Sequence, residues 1–268
     1  MSTGEKSDII FRKNEVRELS DADYHRHDIS DKVWELLKPH LPGQRGQWGG
    51  IAKDNRRFIN AVFFILRTGS TWRDLPPDYG KWGTVHQRYI RWQRKGTWKK
   101  IFDILIDEPE YQFLMIDATH IKVHDRRKPR YGSHKRGLNS KIHLAVNEKG
   151  LPLAVSITSG TVADCTEAIS LTENLKAEGL IADRAYDTDE IITFSVEHYK
   201  IVVIAPKRNR KLQRDYDKEV YKKRHFVENA ILNLKRWRGI TTRYAKLTES
   251  FLAAVLCRCI FIWANYLV

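Results

Sequence analysis

Cysteine is scarce in this sequence: its 268 residues contain only Cys165, Cys257 and Cys259. An odd number of cysteines without a Cys-x-x-Cys pair argues against a disulfide-linked secreted domain and against a zinc ribbon. We therefore expect the three thiols to behave as small apolar groups in a reducing compartment.

Long hydrophobic runs are also rare. The first eight residues have no apolar core of the kind that a signal peptide carries. The only long apolar stretch, residues 251–268, is interrupted by Arg258 and Asn265 and is short for a bilayer span. These features predict a buried C-terminal helix and a soluble intracellular protein with no membrane association.

Acidic residues are outnumbered by basic ones. Lysine and arginine total 47 against 33 aspartates and glutamates, which gives a formal net charge of +14 and a pI near 9.6. Such an excess is typical of proteins that bind a polyanion, because cationic side chains release counterions condensed on phosphates. A generally basic protein is the alternative. Hydrophobic residues, at 42%, are enough for a packed core.

The N-terminal part of the chain reads as helical. Residues 1–20 are polar without periodicity and are expected to form a flexible leader. Within residues 21–108, a short helical pattern follows Ser30, and longer helices are predicted over 54–67 and 81–95. The two longer helices are separated by a short turn that ends at two prolines.

This succession of helix, tight turn and basic aromatic helix is typical of helix-turn-helix proteins, whose second helix enters the major groove of DNA. We therefore predict an all-α DNA-binding domain over residues 21–108. Arg88 and Arg91, on the outer face of the second helix, are its predicted DNA contacts. A helical packing or dimerisation domain with a solvated basic face is the alternative.

Strands and helices alternate in the remainder, residues 109–268. Strands are predicted over 111–116, 141–146, 151–158, 180–182 and 201–205, with helices over 162–178 and 188–197 and two more towards the C-terminus. Three strands followed by alternating helices and strands indicate a mixed α/β layer of the ribonuclease H type. The predicted fold class is thus a ribonuclease H-like domain with a mixed sheet, preceded by the all-α domain.

Three acidic residues in this domain have a pattern that favours catalysis. Asp117 and Asp183 each end an apolar run, and adjacent parallel strands could place them side by side. Glu228 lies on a predicted helix, residues 221–235, that could close the site. Two strand-end carboxylates and one helical carboxylate can hold a pair of divalent metal ions for phosphoryl transfer. Magnesium suits such a site, since it prefers oxygen ligands.

Each acid also has a structural alternative. Asp117 could cap the end of its strand, Asp183 could cap the turn that follows it, and Glu228 could merely form an ion pair on its helix. Asp164 and Asp187 are expected near the same centre, more as helix caps than as metal ligands. The three principal acids together, in this order along the elements, favour catalysis over capping.

Basic and aromatic residues accompany the acids. Steps of three, four and seven residues place Tyr221, Arg224, Glu228 and Lys235 on one face of the predicted helix. Arg224 and Lys235 could bind substrate phosphates and balance the carboxylates, and Tyr221 could stack on a base. All three are predicted DNA contacts.

The segment between residues 120 and 141 is strongly basic. It is predicted to form a flap over DNA, with Lys135 and Arg136 as contacts, or else a solvated loop. His120 and His124 in the same segment raise a weaker possibility of a zinc site.

With these motifs, the chain resembles bacterial insertion-sequence transposases of the DDE class, and most of all the group typified by insertion sequence five. The resemblance covers nearly the whole chain from about residue 28. It is carried by Thr-Gly-Ser-Thr-Trp-Arg-Asp-Leu-Pro at 68–76, Tyr-Gly-Lys-Trp at 79–82, the Asp-Arg-Ala-Tyr-Asp turn at 183–187, and the Tyr-x₂-Arg-x₃-Glu-x₆-Lys spacing that begins at Tyr221.

The resemblance implies that Asp117, Asp183 and Glu228 are the catalytic and metal-binding triad, holding two Mg²⁺ ions, with Mn²⁺ as a substitute. It implies cleavage at the ends of an insertion sequence and transfer of those ends into target DNA. The implied partners are double-stranded terminal inverted repeats, target DNA and a second copy of the chain, in a homodimer or larger assembly. The implied location is the bacterial cytoplasm, at the nucleoid.

Two other functions fit the same residues. A ribonuclease H-like nuclease would cleave without strand transfer. A DNA-binding regulator built on the N-terminal helices would have no enzymatic activity and no metal requirement.

Overall fold

The computed structural model describes residues 26–44, 46, 50–106, 110–124 and 139–268. The predicted leader, residues 1–20, lies outside the described residues, and so do Lys135 and Arg136 of the predicted flap. The ends of that segment are strands: residues up to Lys122 belong to the first strand of the sheet, and residues from Asn139 belong to the second.

The predicted N-terminal helices are confirmed. Helix α1 is Asp31–Leu37, α2 is Asn55–Thr68 and α3 is Trp82–Arg94, with 3₁₀ turns at Trp72–Asp74 and Pro77–Tyr79 between the last two. The Asp54 carboxylate accepts the Arg57 backbone N–H and begins α2, and Gly69, at φ +71°, ends it. A further helix, α4 (Thr97–Leu105), follows α3 and was not predicted.

The sheet has five strands in the order β3-β2-β1-β4-β5. They are β1 Tyr111–Lys122, β2 Asn139–Val146, β3 Pro152–Ser159, β4 Ala177–Ala182 and β5 Ile201–Ile204. The first three are antiparallel neighbours, while β4 and β5 run parallel to β1. This mixed sheet after a helical region confirms the predicted ribonuclease H-like class.

The predicted boundaries of the first strand and of the helix after the third strand were wrong. The first strand continues to Lys122 instead of ending at residue 116, because its residues 115–122 pair with β2. The helix predicted over 162–178 is only a 3₁₀ turn, Asp164–Glu167, and the short α5, Ala168–Thr172. Residues from Ala177 onward pair with β1 instead, so tertiary strand pairing overrides the local helical pattern.

Five more helices complete the described fold. They are α6 Asp189–His198, α7 Lys218–Lys222, α8 His225–Lys235, α9 Arg238–Thr241 and α10 Thr248–Tyr266. The single helix predicted over 221–235 is therefore divided. The joint between α7 and α8 has the hydrogen-bond spacing of a 3₁₀ helix, in which each N–H donates to the carbonyl three residues earlier. Arg224 N donates to Tyr221 O, and Phe226 N donates to Lys223 O.

Helix α10 is the buried C-terminal helix that the sequence predicts. By length and composition it could cross a membrane, yet 61% of its most apolar window is buried within the protein. Its Trp263 Nε1 donates to Pro152 O at the start of β3, and its Arg258 donates to Asn233 of α8. The same helix packs against α4, so it joins the N-terminal helices to the sheet in one hydrophobic core.

Gly239 of α9 packs closely against the backbone of α2. A Cβ at this position would lie 2.8 Å from the Leu66 carbonyl oxygen, a backbone atom that cannot yield easily. Gly239→Ala is expected to destabilise the protein by about 1–3 kcal/mol through overpacking. In contrast, a Cβ at Gly83 in α3 would meet no atom of the described residues within 4 Å, and Gly83→Ala should stabilise the protein by up to about 1 kcal/mol through helix propensity.

Urea denaturation of both variants checks this pair of predictions. Equal urea midpoints for the two variants would show that α9 can move away from α2 without lowering the free energy of unfolding.

Candidate active site

Asp117 and Asp183 occupy equivalent positions on two parallel strands. The register pairs Ile116 of β1 with Ala182 of β4, and each aspartate is the next residue in its chain. Asp183 ends its strand as predicted, whereas Asp117 lies inside β1, opposite Leu144 of β2. The prediction that Asp117 ends its strand was thus wrong, but the structure does bring the two acids to the same sheet edge, where the parallel pairing stops.

Local hydrogen bonds use one oxygen of each aspartate. Asp117 Oδ1 accepts the Ala118 backbone N–H at 2.8 Å, and Asp183 Oδ1 accepts the Ala185 backbone N–H at 2.7 Å. The capping role considered for Asp183 is therefore real. The second oxygen of each aspartate takes no part in these bonds, and the Oδ2 atom of each side chain faces a cation.

That cation is Arg224, at the joint before α8. Its Nη1 lies 3.5 Å from Asp117 Oδ2 and 3.8 Å from Asp183 Oδ2, and its Nη2 bonds to Glu228 Oε1 one turn later. Three carboxylates far apart in sequence thus converge on one guanidinium. No group of three His, Cys, Asp or Glu side chains close enough to share a metal ion occurs among the residues that the structure describes.

Burial dominates the electrostatics of Asp117. Desolvation raises the pKa of its carboxyl to about 6, against the opposing effects of the Ala118 hydrogen bond and the Arg224 charge. The charges of Asp183 and Glu228 raise the pKa further. Any additional positive charge among the three acids would therefore stabilise the ionised form of Asp117.

Tyr186 ends the 3₁₀ turn that follows Asp183. Its side chain is buried, and its hydroxyl has no hydrogen-bond partner among the residues that the structure describes. Burial raises the pKa of this phenol, and the nearby charges of Asp117, Asp164 and Asp183 add to that rise. The atoms of the three acids that Arg224 contacts are carboxylate oxygens, which are the ligands that a hard divalent cation prefers, although the three side chains do not form a metal-binding group in this arrangement.

Two predicted DNA contacts lie on the rim of the site. Lys235 Nζ donates to Thr119 Oγ1 at 2.6 Å, two residues beyond Asp117 on β1. The Tyr221 ring packs edge-on against Tyr216, with the Arg224 guanidinium 6.0 Å from its centroid. The structure therefore groups Tyr221, Arg224 and Lys235 around the three acids despite the break between α7 and α8.

Arg88 and Arg91 lie elsewhere, on α3. Arg91 is exposed as predicted, but Arg88 is half-buried: its guanidinium stacks on Phe58 at 4.2 Å and on Trp92 at 4.9 Å, and bonds to Asn55 Oδ1. Burial lowers the pKa of Arg88 to about 10. Both arginines line a cavity of about 540 Å³ beside α3. Their contact with DNA stays a prediction.

The spare acids have ion-pair partners of their own. Asp164 Oδ1 lies 2.7 Å from Lys141 Nζ, and Asp187 binds Arg210 and Arg214. Asp187 is the C-cap residue of the 3₁₀ turn Arg184–Tyr186 through its backbone N–H, whereas the N-cap of the turn Asp164–Glu167 is Ala163 and not Asp164. Tyr186 was not predicted near the site, although its place between Asp183 and Asp187 in the Asp-Arg-Ala-Tyr-Asp turn was a usable signal.

Similarity to known proteins covers almost all of the described chain. A family model described as "Putative transposase of IS4/5 family" matches residues 29–102, and one described as "Transposase DDE domain" matches residues 108–263, more than half of the chain.

Among curated relatives, the uncharacterised Sinorhizobium fredii protein y4sN is 33% identical over 96 residues, 36% of this chain and 77% of that protein. A Brucella ovis protein named "Putative transposase for insertion sequence element IS6501" is 36% identical over 128 residues, 47% of this chain and 98% of that protein. A cryo-EM structure of the piggyBac transposase synaptic complex with hairpin DNA aligns with TM-score 0.46 and 10% identity, over 90% of this chain and 73% of that one. At that TM-score the similarity identifies neither function nor partner.

Proposed function

We propose that Asp117, Asp183 and Glu228 are the catalytic carboxylates of this chain, which belongs to the family of transposases with a DDE domain. The chain is a DNA transposase, an enzyme that acts on DNA and depends on divalent metal. One observation carries the assignment of the residues: the three side chains come from β1, from the end of β4 and from α8, and all three contact Arg224.

The same three carboxylates are the proposed ligands of two Mg²⁺ ions, with Mn²⁺ as a substitute. Bound there, the ions would supply charge neutralisation for the attacking and leaving oxygens of a phosphodiester. Convergence of the carboxylates on one cation and the oxygen-only donor set support this choice of metal.

The chain's own residues would position DNA for two successive reactions. In the first, water cleaves a phosphodiester at an element end; in the second, the released 3′-hydroxyl attacks target DNA. Arg224 and Lys235 would bind backbone phosphates beside the three acids. Arg224 contacts the Asp117 carboxylate, and Lys235 donates to Thr119 two residues further along the same strand. Positioning of this kind supplies much of the rate in phosphoryl transfer.

The remaining assignments concern recognition of the element ends, assembly and location. We propose that the helices of residues 21–108 bind terminal inverted repeats through Arg91 and, after release from its stacking, Arg88. Residues 109–268 would form the catalytic domain. Two copies or more would hold paired ends, in the cytoplasm at the nucleoid. The net charge of +14 supports contact with double-stranded DNA.

A strand-transfer assay tests this function against its alternatives. Full-length protein, Mg²⁺ and a precleaved element end should give joined products with target DNA. A nuclease would cleave an uncut end but join nothing. A DNA-binding regulator would bind the end equally well with and without metal and would cleave nothing. Either of the last two outcomes would overturn the proposal.

Lys235→Ala is expected to weaken binding of element-end DNA and to lower the slope of log K against log salt by roughly one, since one phosphate contact is lost. Fluorescence anisotropy at several salt concentrations measures the slope. Lys176→Ala is the matched control, because Lys176 is exposed immediately before β4, at the opposite edge of the sheet. An unchanged slope in Lys235→Ala would place this lysine off the DNA.

A further inference from the structure

The basic segment that follows β5 has no role in the site described above. Residues 207–214 contain five cations and no acidic residue: Lys207, Arg208, Arg210, Lys211 and Arg214. The segment leaves β5 at its carboxyl end. Because β4 and β5 are parallel, this is the same edge of the sheet at which Asp183 follows β4. The topology therefore brings a strongly basic segment to the candidate catalytic edge.

Asp187 fixes this segment in place. Its side chain is fully buried, and its Oδ1 lies 3.1 Å from Arg210 Nη1 and 2.5 Å from Arg214 Nη2. Its Oδ2 accepts the Lys207 backbone N–H at 2.8 Å. Since Asp187 comes four residues after Asp183, these bonds tie the basic segment to the turn that carries a proposed catalytic carboxylate.

Hydrogen bonds within the segment hold it in a turn, and two of its charged side chains are exposed. Gln213 Nε2 donates to Lys207 O at 3.0 Å and to Arg210 O at 2.9 Å. Arg208 and Lys211 are exposed, and neither forms an ion pair within the part of the chain that the structure describes. A fixed turn therefore presents two uncompensated cations beside the catalytic edge.

We propose that residues 207–214 bind the phosphodiester backbone next to the cleaved bond, and that Asp187 is the positioning residue that holds them there. The inference rests on the proposed function, because it assumes that DNA lies across this edge. Phosphates suit the surface, since each exposed cation that meets one releases a condensed counterion.

The buried carboxylate is better explained by positioning than by stability. A buried ion pair gains little over well-packed apolar residues, because desolvation offsets most of the attraction. What Asp187 does provide is a defined geometry: three donors, spread over eight residues, meet one carboxylate. A loop ordered in this way meets DNA without first losing conformational freedom.

Salt dependence of DNA binding tests the surface. In full-length protein without divalent metal, so that no cleavage occurs, the double variant Arg208→Ala/Lys211→Ala is expected to lower the slope of log K against log salt by roughly two. Lys200→Ala, an exposed lysine before the amino end of β5, is the control and should leave the slope unchanged. A wild-type slope in the double variant overturns the inference.

Two further variants test the role of Asp187. Asp187→Asn keeps an acceptor for the Lys207 N–H but loses its charge, and Arg214→Gln breaks the same contact from the other side. Both should raise KM for end DNA and lower the salt slope, with kcat for cleavage close to wild type. A fall in kcat alone, with KM and slope unchanged, would contradict positioning. If Asp187→Asn does not fold, Arg214→Gln and the double variant decide.

These readouts separate this inference from the proposed function. Wild-type protein that binds end DNA but never cleaves it would overturn the proposed function. A normal cleavage reaction with an unchanged slope in the double variant would overturn only the role of residues 207–214.

Discussion

Asp117→Asn, Asp183→Asn and Glu228→Gln are each expected to lower the rate of DNA-end cleavage by about 10³-fold or more, because removal of one preorganised charge from a phosphoryl-transfer site costs effects of this order. Each amide has nearly the size of the acid that it replaces. What changes is the charge: each acid contacts the central guanidinium, and a neutral amide attracts a divalent cation much less strongly than a carboxylate does. Binding of end DNA should stay intact, since no phosphate contact is removed.

Cleavage of a labelled element end with Mg²⁺ measures the effect, and electrophoretic mobility shift confirms binding. Glu219→Gln is the matched control: Glu219 is an exposed acid on α7 whose partner is Lys222, outside the carboxylate group. Cleavage at the wild-type rate by any of the three variants would remove that residue from the catalytic site.

The sequence predicts the pairing of the two aspartates because local pattern and chain order act together. Each apolar run ends at its aspartate, and the offset of 66 residues between Asp117 and Asp183 is the offset of the β1–β4 register, which pairs residues 116 and 182. The helical spacing of Arg224, Glu228 and Lys235 likewise survives in the structure, since α8 begins directly after Arg224. These features depend on periodicity, which a sequence displays directly.

Other features depend on partners that are distant along the chain, and the sequence does not display them. Whether β1 stops at Asp117 is decided by β2, whose residues 139–146 extend the pairing. Arg88 has the position of an outward residue on α3, yet Phe58 of α2 and Trp92 offer its guanidinium two ring faces. Burial of Asp187 requires the segment after β5, twenty residues downstream, to fold back onto it.

Removal of the Arg224 guanidinium is expected to tighten the binding of Mn²⁺ to the DNA-free protein by roughly tenfold or more, since a cation then no longer competes with a unit positive charge a few ångströms from the carboxylates. In Arg224→Gln, the three acids lose the group that now contacts all of them. Their mutual repulsion should lower Tm without metal, and added Mn²⁺ should restore it by binding the folded state.

Isothermal titration calorimetry of Mn²⁺ into the metal-free protein measures the affinity, and a thermal scan with and without Mn²⁺ measures the stability. Arg236→Gln is the control, an exposed arginine immediately after α8. Cleavage by Arg224→Gln should nevertheless fall, because the same guanidinium is proposed to hold a DNA phosphate once metal has displaced it. Tighter metal binding together with slower cleavage therefore identifies a residue that exchanges a carboxylate partner for a phosphate. Weaker metal binding in the variant would instead make Arg224 a fixed support of the acids, and its place in DNA binding would have to be abandoned.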